Sequence, residues 1–490
     1  MTCRQDAGMR ERAALRFLDR LRFGPLHRRV WWLSAMGILL DGFDFFIVGV
    51  AVPLIVADWG ITPLETGLLT SAAVVGAIFG AAIMGPLSDR IGRKLAFRID
   101  LGMFVVFAVA SALAPDIWWL IAFRFLLGVG IGADYPIAAS YVAEISPGRL
   151  RPRLLIGAFS FQAVGQLLGA LVGLVVLTVD PHPEAWRWML AAGIVPAVII
   201  VALRRGVPES PIWLASQARY LEAAAVMSRF AGRQVVETEI RDVSPSADHP
   251  VLVRATGIVP TVRKRALFAG EYRKATALTT VPWFFMDIAT YGVGVFTPTI
   301  IAALALGSSA STPFIADDIT STEGAAVLDL FLVVGFAAAI LLVRRLGLIL
   351  MQSVGFVVMA VALLALGSTQ LVAPSPVQVA VIFLAFAAFN LFMNGGPNAT
   401  TFAMPTAAFP AEVRGAGAGF GAAAGKAGAA VGTFFFPILQ AELGLFATLS
   451  IIAGGCLLAA AATILFRHQV RREQVIRDAA GDADLVGVIG

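Results

Sequence analysis

The chain has 490 residues, 58% hydrophobic and 14% charged, with a mean hydropathy of +0.83 and a formal net charge of +5. A water-soluble globular domain runs nearer 45–50% apolar and about 25% charged, so the composition excludes one and points to a lipid bilayer. The positive balance does not indicate nucleic acid, because most Lys and Arg collect in particular loops and at the two ends of the chain, dealt out by side of the membrane.

The first 29 residues are too Arg-rich for a signal peptide and lack its cleavable pattern. RERAALRFLDRLRF sets Ala14, Phe17, Leu18 and Leu21 on one helical face. That arm either lies flat on an anionic leaflet or serves only as a cytoplasmic tail. A spanning helix needs roughly 20 mostly apolar residues, and about twelve such segments follow: 30–56, 66–86, 95–115, 117–143, 152–179, 186–203, 275–305, 322–343, 347–368, 376–403, 415–439 and 443–466. Basic residues collect in the arm, in DRIGRK (89–94), GRLRPR (148–153), 204–274, Arg344–Arg345, Arg414 and the tail. ADWGITPLETG and ASTPFIADDITSTEG read as loops that carry acids and no Lys or Arg. By the positive-inside rule both termini and the central loop are cytoplasmic, which an even number of spans allows. The expected fold class is therefore all-α integral membrane, with two six-helix halves: an arm (1–29), a first bundle (30–204), a central loop (205–273), a second bundle (274–466) and a tail (467–490).

The first span carries LLDGFDFF. Asp41 and Asp44, three apart, share a helix face and would repel if both were ionised. One is expected to keep its proton near neutral pH, which makes the pair a candidate proton carrier unless Asp41 merely faces solvent near a helix end. GPLSDRIGRK (85–94) follows the second span, with Gly85 allowing close approach and Asp89 able to pair with a neighbouring helix end. The fourth span contains RFLLGVGIG (124–132), where Arg124 is intramembrane, and continues to Asp134 and Tyr135. Glu144 closes it. The fifth span holds Gln162 and Gln166 one turn apart. PESPIWL, with Glu209, follows the sixth. In the central loop RYLEAAAVMSRFAGRQ reads as a short amphipathic helix and RDVSPSADHP as a linker.

The seventh span contains PWFFMDIATYGVGVF. Trp283, Asp287 and Tyr291 lie at i, i+4 and i+8, one stripe along the helix. A charged residue at a helix centre costs on the order of 3 kcal/mol and is usually functional. The tenth span has Asn394 and Asn398 around a Gly-Gly-Pro break. The eleventh has Lys426 among small residues. Asn and Gln side chains here either bond between helices or touch a ligand. Asp287 and Lys426 either serve a substrate or pair with each other. Cys3 and Cys456 lack a disulfide or metal pattern, and His27, His182, His249 and His468 read as surface residues in loops or flanks. No metal, nucleotide or other cofactor is expected, since GVGIGAD lacks the Lys-Ser/Thr of a phosphate loop. No nucleophile–base constellation suggests an enzyme.

GPLSDRIGRK, RFLLGVGIG and PESPIWL, in that order, resemble the signature motifs of the major facilitator superfamily over essentially the whole chain. YVAEISPGRLRPR and FPAEVRGAG echo one another, as two repeats of six spans would. DGFDFF, G-x-D-Y-P, W-x-x-x-D-x-x-x-Y, GPNATTF and AAGKAGA are similar to segments of that superfamily's phosphate:proton symporters. The resemblance implies two pseudo-symmetric bundles with substrate held near the midplane between them. It implies phosphate contacts at Tyr135, Gln162, Trp283, Asp287, Tyr291 and Asn398, with Lys426 beside the substrate. Proton handling would fall to Asp41, Asp44 and Asp134. Ala133 and Ala139 depart from the family's pattern, and AMPTAAFPAEVRG is more like the superfamily at large.

The side-chain chemistry is compatible with that implication. Dihydrogen phosphate offers both hydroxyl protons and acceptor oxygens, so its site wants donors and one acceptor. An ionised Asp287 would accept a phosphate hydroxyl that sulfate cannot offer at neutral pH, which turns a repulsive charge into a discriminating one. Asp89, Arg90, Arg93, Glu144, Glu209 and Arg414, with Arg149 and Arg151, either form gating ion pairs between the halves or only enforce topology. Arg124 belongs with this conformational set. The expectation is a proton-coupled importer of inorganic phosphate in the cell membrane, functional as a monomer. A carrier of another small anion such as an organic carboxylate, a sugar porter and a phosphate-sensing receptor stay open beside it.

Overall fold

The computed structural model describes residues 21, 23–147, 154, 157–236, 267–268, 270, 272–306, 314–372, 375–409 and 411–470, and every regular element among them is helical. Eleven of these helices are long and apolar enough to cross a membrane, twelve if one bent pair counts as a single span. The N-terminal amphipathic stretch as far as Arg20, the RDVSPSADHP linker, Cys3, His249, Arg149 and Arg151 lie outside the described residues.

The chain divides into two compact units, one of residues Met1–Ala51, Ala72–Val172 and Glu184–Val259, the other of Val52–Ser71, Gly173–Pro183 and Pro260–Gly490. Unit 1 contains most or all of α1 (Pro25–Trp59), α2 (Pro63–Ile91), α3 (Arg93–Ala112), α4 (Ile117–Ile145), α5 (Phe161–Val179), α6 (Trp186–Ala192), α7 (Ile194–Arg204), α8 (Pro211–Ser216) and α9 (Tyr220–Ala231). Asp116 caps α4, its carboxylate accepting from the Trp118 and Trp119 N–H groups at 2.9 and 3.1 Å. Alternate glycines of GVGIG serve two neighbours. Gly128 and Gly132 meet α2 at Ala73 and Ala77, while a Cβ on Gly130 would lie 3.0 Å from the Asp100 carbonyl of α3. Lipid supplies no hydrophobic force between helices, so backbones this close gain their stability from packing.

In the central loop, α9 forms as the amphipathic pattern predicts, burying Ala223, Ala224, Met227 and Phe230. Ser210 caps α8 by accepting from the Trp213 N–H at 3.1 Å. One histidine corrects its expectation. His27 is fully buried in α1, where Nδ1 accepts from the Gly24 N–H at 3.2 Å and the ring packs 4.8 Å from that of Phe230. The flank of the first span is itself helical and covered by α9, which no local pattern in LHRR announces.

Unit 2 contains α10 (Arg273–Gly294), α11 (Thr297–Ile301), α12 (Phe314–Leu346), α13 (Leu348–Ser368), α14 (Pro376–Gly395), α15 (Pro397–Ala408), α16 (Ala411–Leu443) and α17 (Leu445–Leu465). The seventh predicted span is broken: α10 and the segment Thr297–Leu304 meet at 63°. Pro298, in the first turn of α11, has no N–H to bond back to the Gly294 carbonyl, and its ring would clash with that carbonyl in a continuous helix. The tenth breaks at Gly396, whose φ of −127° and ψ of −100° suit a glycine before Pro397. The stretch after residue 313, expected as an acid-bearing loop, is instead the start of α12. It buries Asp318 at 4% exposure, and Asp329 further along at 3%.

Candidate functional site

In unit 2, α10 packs against α15, α16 and α17 and presents the predicted stripe. Trp283, Asp287 and Tyr291 are all buried. The Trp283 indole lies along α16 at Gly421 and Gly425, and its ring meets Phe402 of α15 edge-on at 6.2 Å. Lys426 Nζ donates to Tyr291 Oη at 3.0 Å and sits 4.9 Å from that ring's centroid. Asp287, beside Gly425, accepts no hydrogen bond and makes no ion pair among the described residues, although Lys426 is close enough to attract it. The ammonium thus bonds to the tyrosine of the stripe, and the carboxylate keeps its acceptor capacity. Asn394 donates to the Leu332 carbonyl at 3.1 Å, an interhelical bond, while half-buried Asn398 donates to Asn394 Oδ1 at 2.7 Å.

A Cβ on Gly425 would lie 2.9 Å from Asp287 Oδ2 and 2.5 Å from Trp283 Nε1. Gly425→Ala is therefore expected to shift both side chains and to weaken transport at unchanged expression. Wild-type uptake by that variant would show that the indole and carboxylate need not hold this position.

Tyr135 and Gln162 belong to unit 1. Tyr135 lies on α4, and half-buried Gln162 lies on α5, where its carbonyl stands over Gly42 of α1. The acids of this unit are sorted among partners. Asp44 takes a bidentate pair from Arg124 at 2.6 and 2.7 Å, both side chains buried. Asp134 Oδ1 accepts from Arg204 at 2.9 Å, and Arg204 Nε is held by the Leu33 carbonyl at 2.9 Å. Asp41 does not share Asp44's partner; it lines a cavity of about 10 Å³ with Gly37, Phe104, Ile131, Asp100 and Asp134. The repulsion expected between Asp41 and Asp44 is thus offset on one side by Arg124.

The GPLSDRIGRK turn is a hub within unit 1. Arg93 binds Asp89 at 2.6 Å, Ser88 at 2.9 Å and Glu144 at 2.9 Å. Glu209 accepts from the backbone N–H groups of Arg93 and Lys94 at 2.9 and 3.2 Å. Burial pushes the Glu209 carboxyl above its ordinary range, against the opposing pull of those N–H donors. Trp213 donates to the Asp89 carbonyl at 2.8 Å. Arg90 is exposed, and Arg414 lies on α16 with its side chain outside the described set.

Two residues of the unit 1 cluster escaped the sequence reading. Asp100 in FRIDLG stood inside the third predicted span and carried the same signal as Asp287, an acid in an apolar run. Arg204, at the last turn of the sixth, was indistinguishable from the basic central loop that follows it.

A model of the sugar (and other) transporter family matches residues 30–471. The inner membrane metabolite transport protein YgcS of Escherichia coli is 29% identical, over 89% of this chain and 90% of its own. The niacin transporter NiaP of Acinetobacter baylyi is 28% identical, over 84% and 87%. The probable inorganic phosphate transporter 1-3 of Oryza sativa subsp. japonica is 30% identical, over 86% of each chain. Among solved structures, an inward-open conformation of the xylose transporter XylE from E. coli superposes with a TM-score of 0.72 at 19% identity, over 90% of this chain and 96% of that one. At that identity the superposition carries the fold alone.

Proposed function

The chain belongs to the sugar (and other) transporter family, secondary carriers of the major facilitator fold, and from that premise we infer that it imports inorganic phosphate with protons by alternating access. The observation that carries this reading is the Lys426–Tyr291 contact with an uncommitted Asp287 on the same stripe. A cationic donor and a free carboxylate acceptor, side by side, match an anion that still carries hydroxyl protons. Trp283 and Asn398 supply further donors, and Tyr135 and Gln162 complete the proposed contact set. Asp41, Asp44 and Asp134 handle protons. Inorganic phosphate transporters among the relatives support this substrate. The carrier sits in the cell membrane with both termini in the cytoplasm, as the segregation of its basic loops supports, and works as a monomer.

A second reading rests on Trp283 and Phe402. Their edge-on pair offers apolar surface for a ring-bearing carboxylate, and a niacin transporter stands among the relatives. Uptake of labelled phosphate into proteoliposomes under an imposed pH gradient separates the two. Stimulation by an acidic exterior, with competition by arsenate but not by sulfate or nicotinate, is expected. Uptake indifferent to the gradient would remove proton coupling, and competition by nicotinate but not arsenate would transfer the site to organic acids.

A further inference from the structure

We propose that Asp100 and Asp134 share a single exchangeable proton, clamped by Arg204, so that Asp100 is a proton-coupling residue of the carrier. This rests on the reading of the protein as proton-coupled and adds a site to it.

The argument starts from hydrogen-bond inventory. Asp100 is 1% exposed and Asp134 3%, so neither carboxyl can turn to water. The two lie within hydrogen-bonding reach of one another. Each has one committed oxygen: Asp134 Oδ1 on Arg204 at 2.9 Å, and Asp100 Oδ1 on the Leu101 N–H. Each also has one uncommitted oxygen, since Asp100 Oδ2 and Asp134 Oδ2 accept nothing among the described residues. Ionised carboxylates are acceptors only, and two acceptors in contact are reconciled by a proton that one donates to the other. Binding one proton turns a dianionic pair into a monoanionic one, and Arg204 then balances the cluster at zero. Releasing it restores a net charge of −1.

That count is of the pair and Arg204 alone, and Asp41 across the cavity adds its own charge when ionised. The charged groups facing Asp100 are Asp134 of α4, Arg204 of α7, and Asp41 of α1 across the 10 Å³ cavity that all three acids line. Arg124 is taken by Asp44. Arg204 is itself pinned between Asp134, the Leu33 carbonyl and the face of Phe97, 4.2 Å from its guanidinium carbon. Gly37 leaves the room, for a Cβ there would run into Asp134 and Arg204. The pair therefore couples protonation to the contact of α1 with α4 and α7.

The test uses the full-length protein reconstituted in liposomes. Asp100→Asn preserves shape and supplies an N–H to Asp134 in place of the proton. With the membrane potential clamped at zero, each coupled proton contributes about tenfold accumulation per pH unit of gradient. Steady-state phosphate accumulation by Asp100→Asn is expected to fall about tenfold per unit, while gradient-free exchange of labelled phosphate persists. Accumulation equal to wild type would overturn the proposal. Infrared difference spectroscopy of the same proteins, without substrate, supplies an independent arm. The wild type minus Asp100→Asn spectrum is expected to show one carboxylic-acid C=O band, and its absence would overturn the proposal. Should Asp100→Asn fail to fold, Asp100→Ser is read the same way. Should the wild type fail to accumulate phosphate, the substrate reading falls and the infrared arm still decides the shared proton.

Discussion

Asp287→Asn is expected to weaken phosphate binding at least about 30-fold, the lower edge of the 2–5 kcal/mol that losing one partner of a buried charged hydrogen bond costs. The sign of the change is the informative part. If Asp287 only repelled an anion held by Lys426, neutralising it would tighten binding. If it accepts a phosphate hydroxyl through a charge-assisted bond, the amide keeps the shape but loses about half of that bond's strength and returns two N–H donors toward donors. Equilibrium binding of labelled phosphate to the purified protein measures both. Tighter or unchanged binding would sink the acceptor role and leave Asp287 as a structural neighbour of Lys426. Lys426→Ala is expected to weaken binding as well, and it also removes the hydrogen bond to Tyr291.

Asp44→Ala is expected to cost about 3–5 kcal/mol of stability, because it leaves the Arg124 guanidinium buried without its counter-charge. Arg124 is 2% exposed and both of its terminal nitrogens go to Asp44. Arg124→Ala should cost a similar amount by orphaning the carboxylate. The double variant should lose much less than the sum, since it removes both charges from the low-dielectric interior together. Unfolding titrations in mixed micelles of the four proteins close the cycle, and additive losses would mean that the pair does not act as a unit. The same geometry bears on proton movement. A carboxylate held bidentately by arginine gives up two short bonds before it takes a proton, whereas the uncommitted oxygens of Asp100 and Asp134 do not.

Much of the architecture was legible because a bilayer permits few solutions. Backbone groups in hydrocarbon must be satisfied within their own helix, so apolar runs of sufficient length announce spans directly. The i, i+4, i+8 spacing of Trp283, Asp287 and Tyr291 put them on one stripe for the same reason, since helical periodicity is local. The acids were legible as costs: Asp41, Asp44, Asp134 and Asp287 each stood in a run that should exclude them. Asp100 carried that cue too. The break at Gly396 was marked by the Gly-Gly-Pro sequence, whereas the bend before Thr297 fell inside a segment read as one continuous span.

Pairing was not legible. A charge in a span announces that it has a reason to be there, but not which helix answers it. Asp41 and Asp44 share a face by spacing, yet only the packing of α4 gives Asp44 to Arg124 and leaves Asp41 to the cavity with Asp100 and Asp134. Arg204 read as one more cytoplasmic cation until the close approach of α1, α4 and α7 brought it onto Asp134. His27 looked like a surface flank until α9 covered it. Lys426 turned out to bond to Tyr291, a choice made by the rotation of α16 against α10. By itself the sequence determined which segments are long and apolar enough to cross the membrane, because hydrophobicity and backbone satisfaction are properties of each segment alone. Tertiary structure decided which buried charge meets which partner, because that depends on distances between helices far apart in the chain.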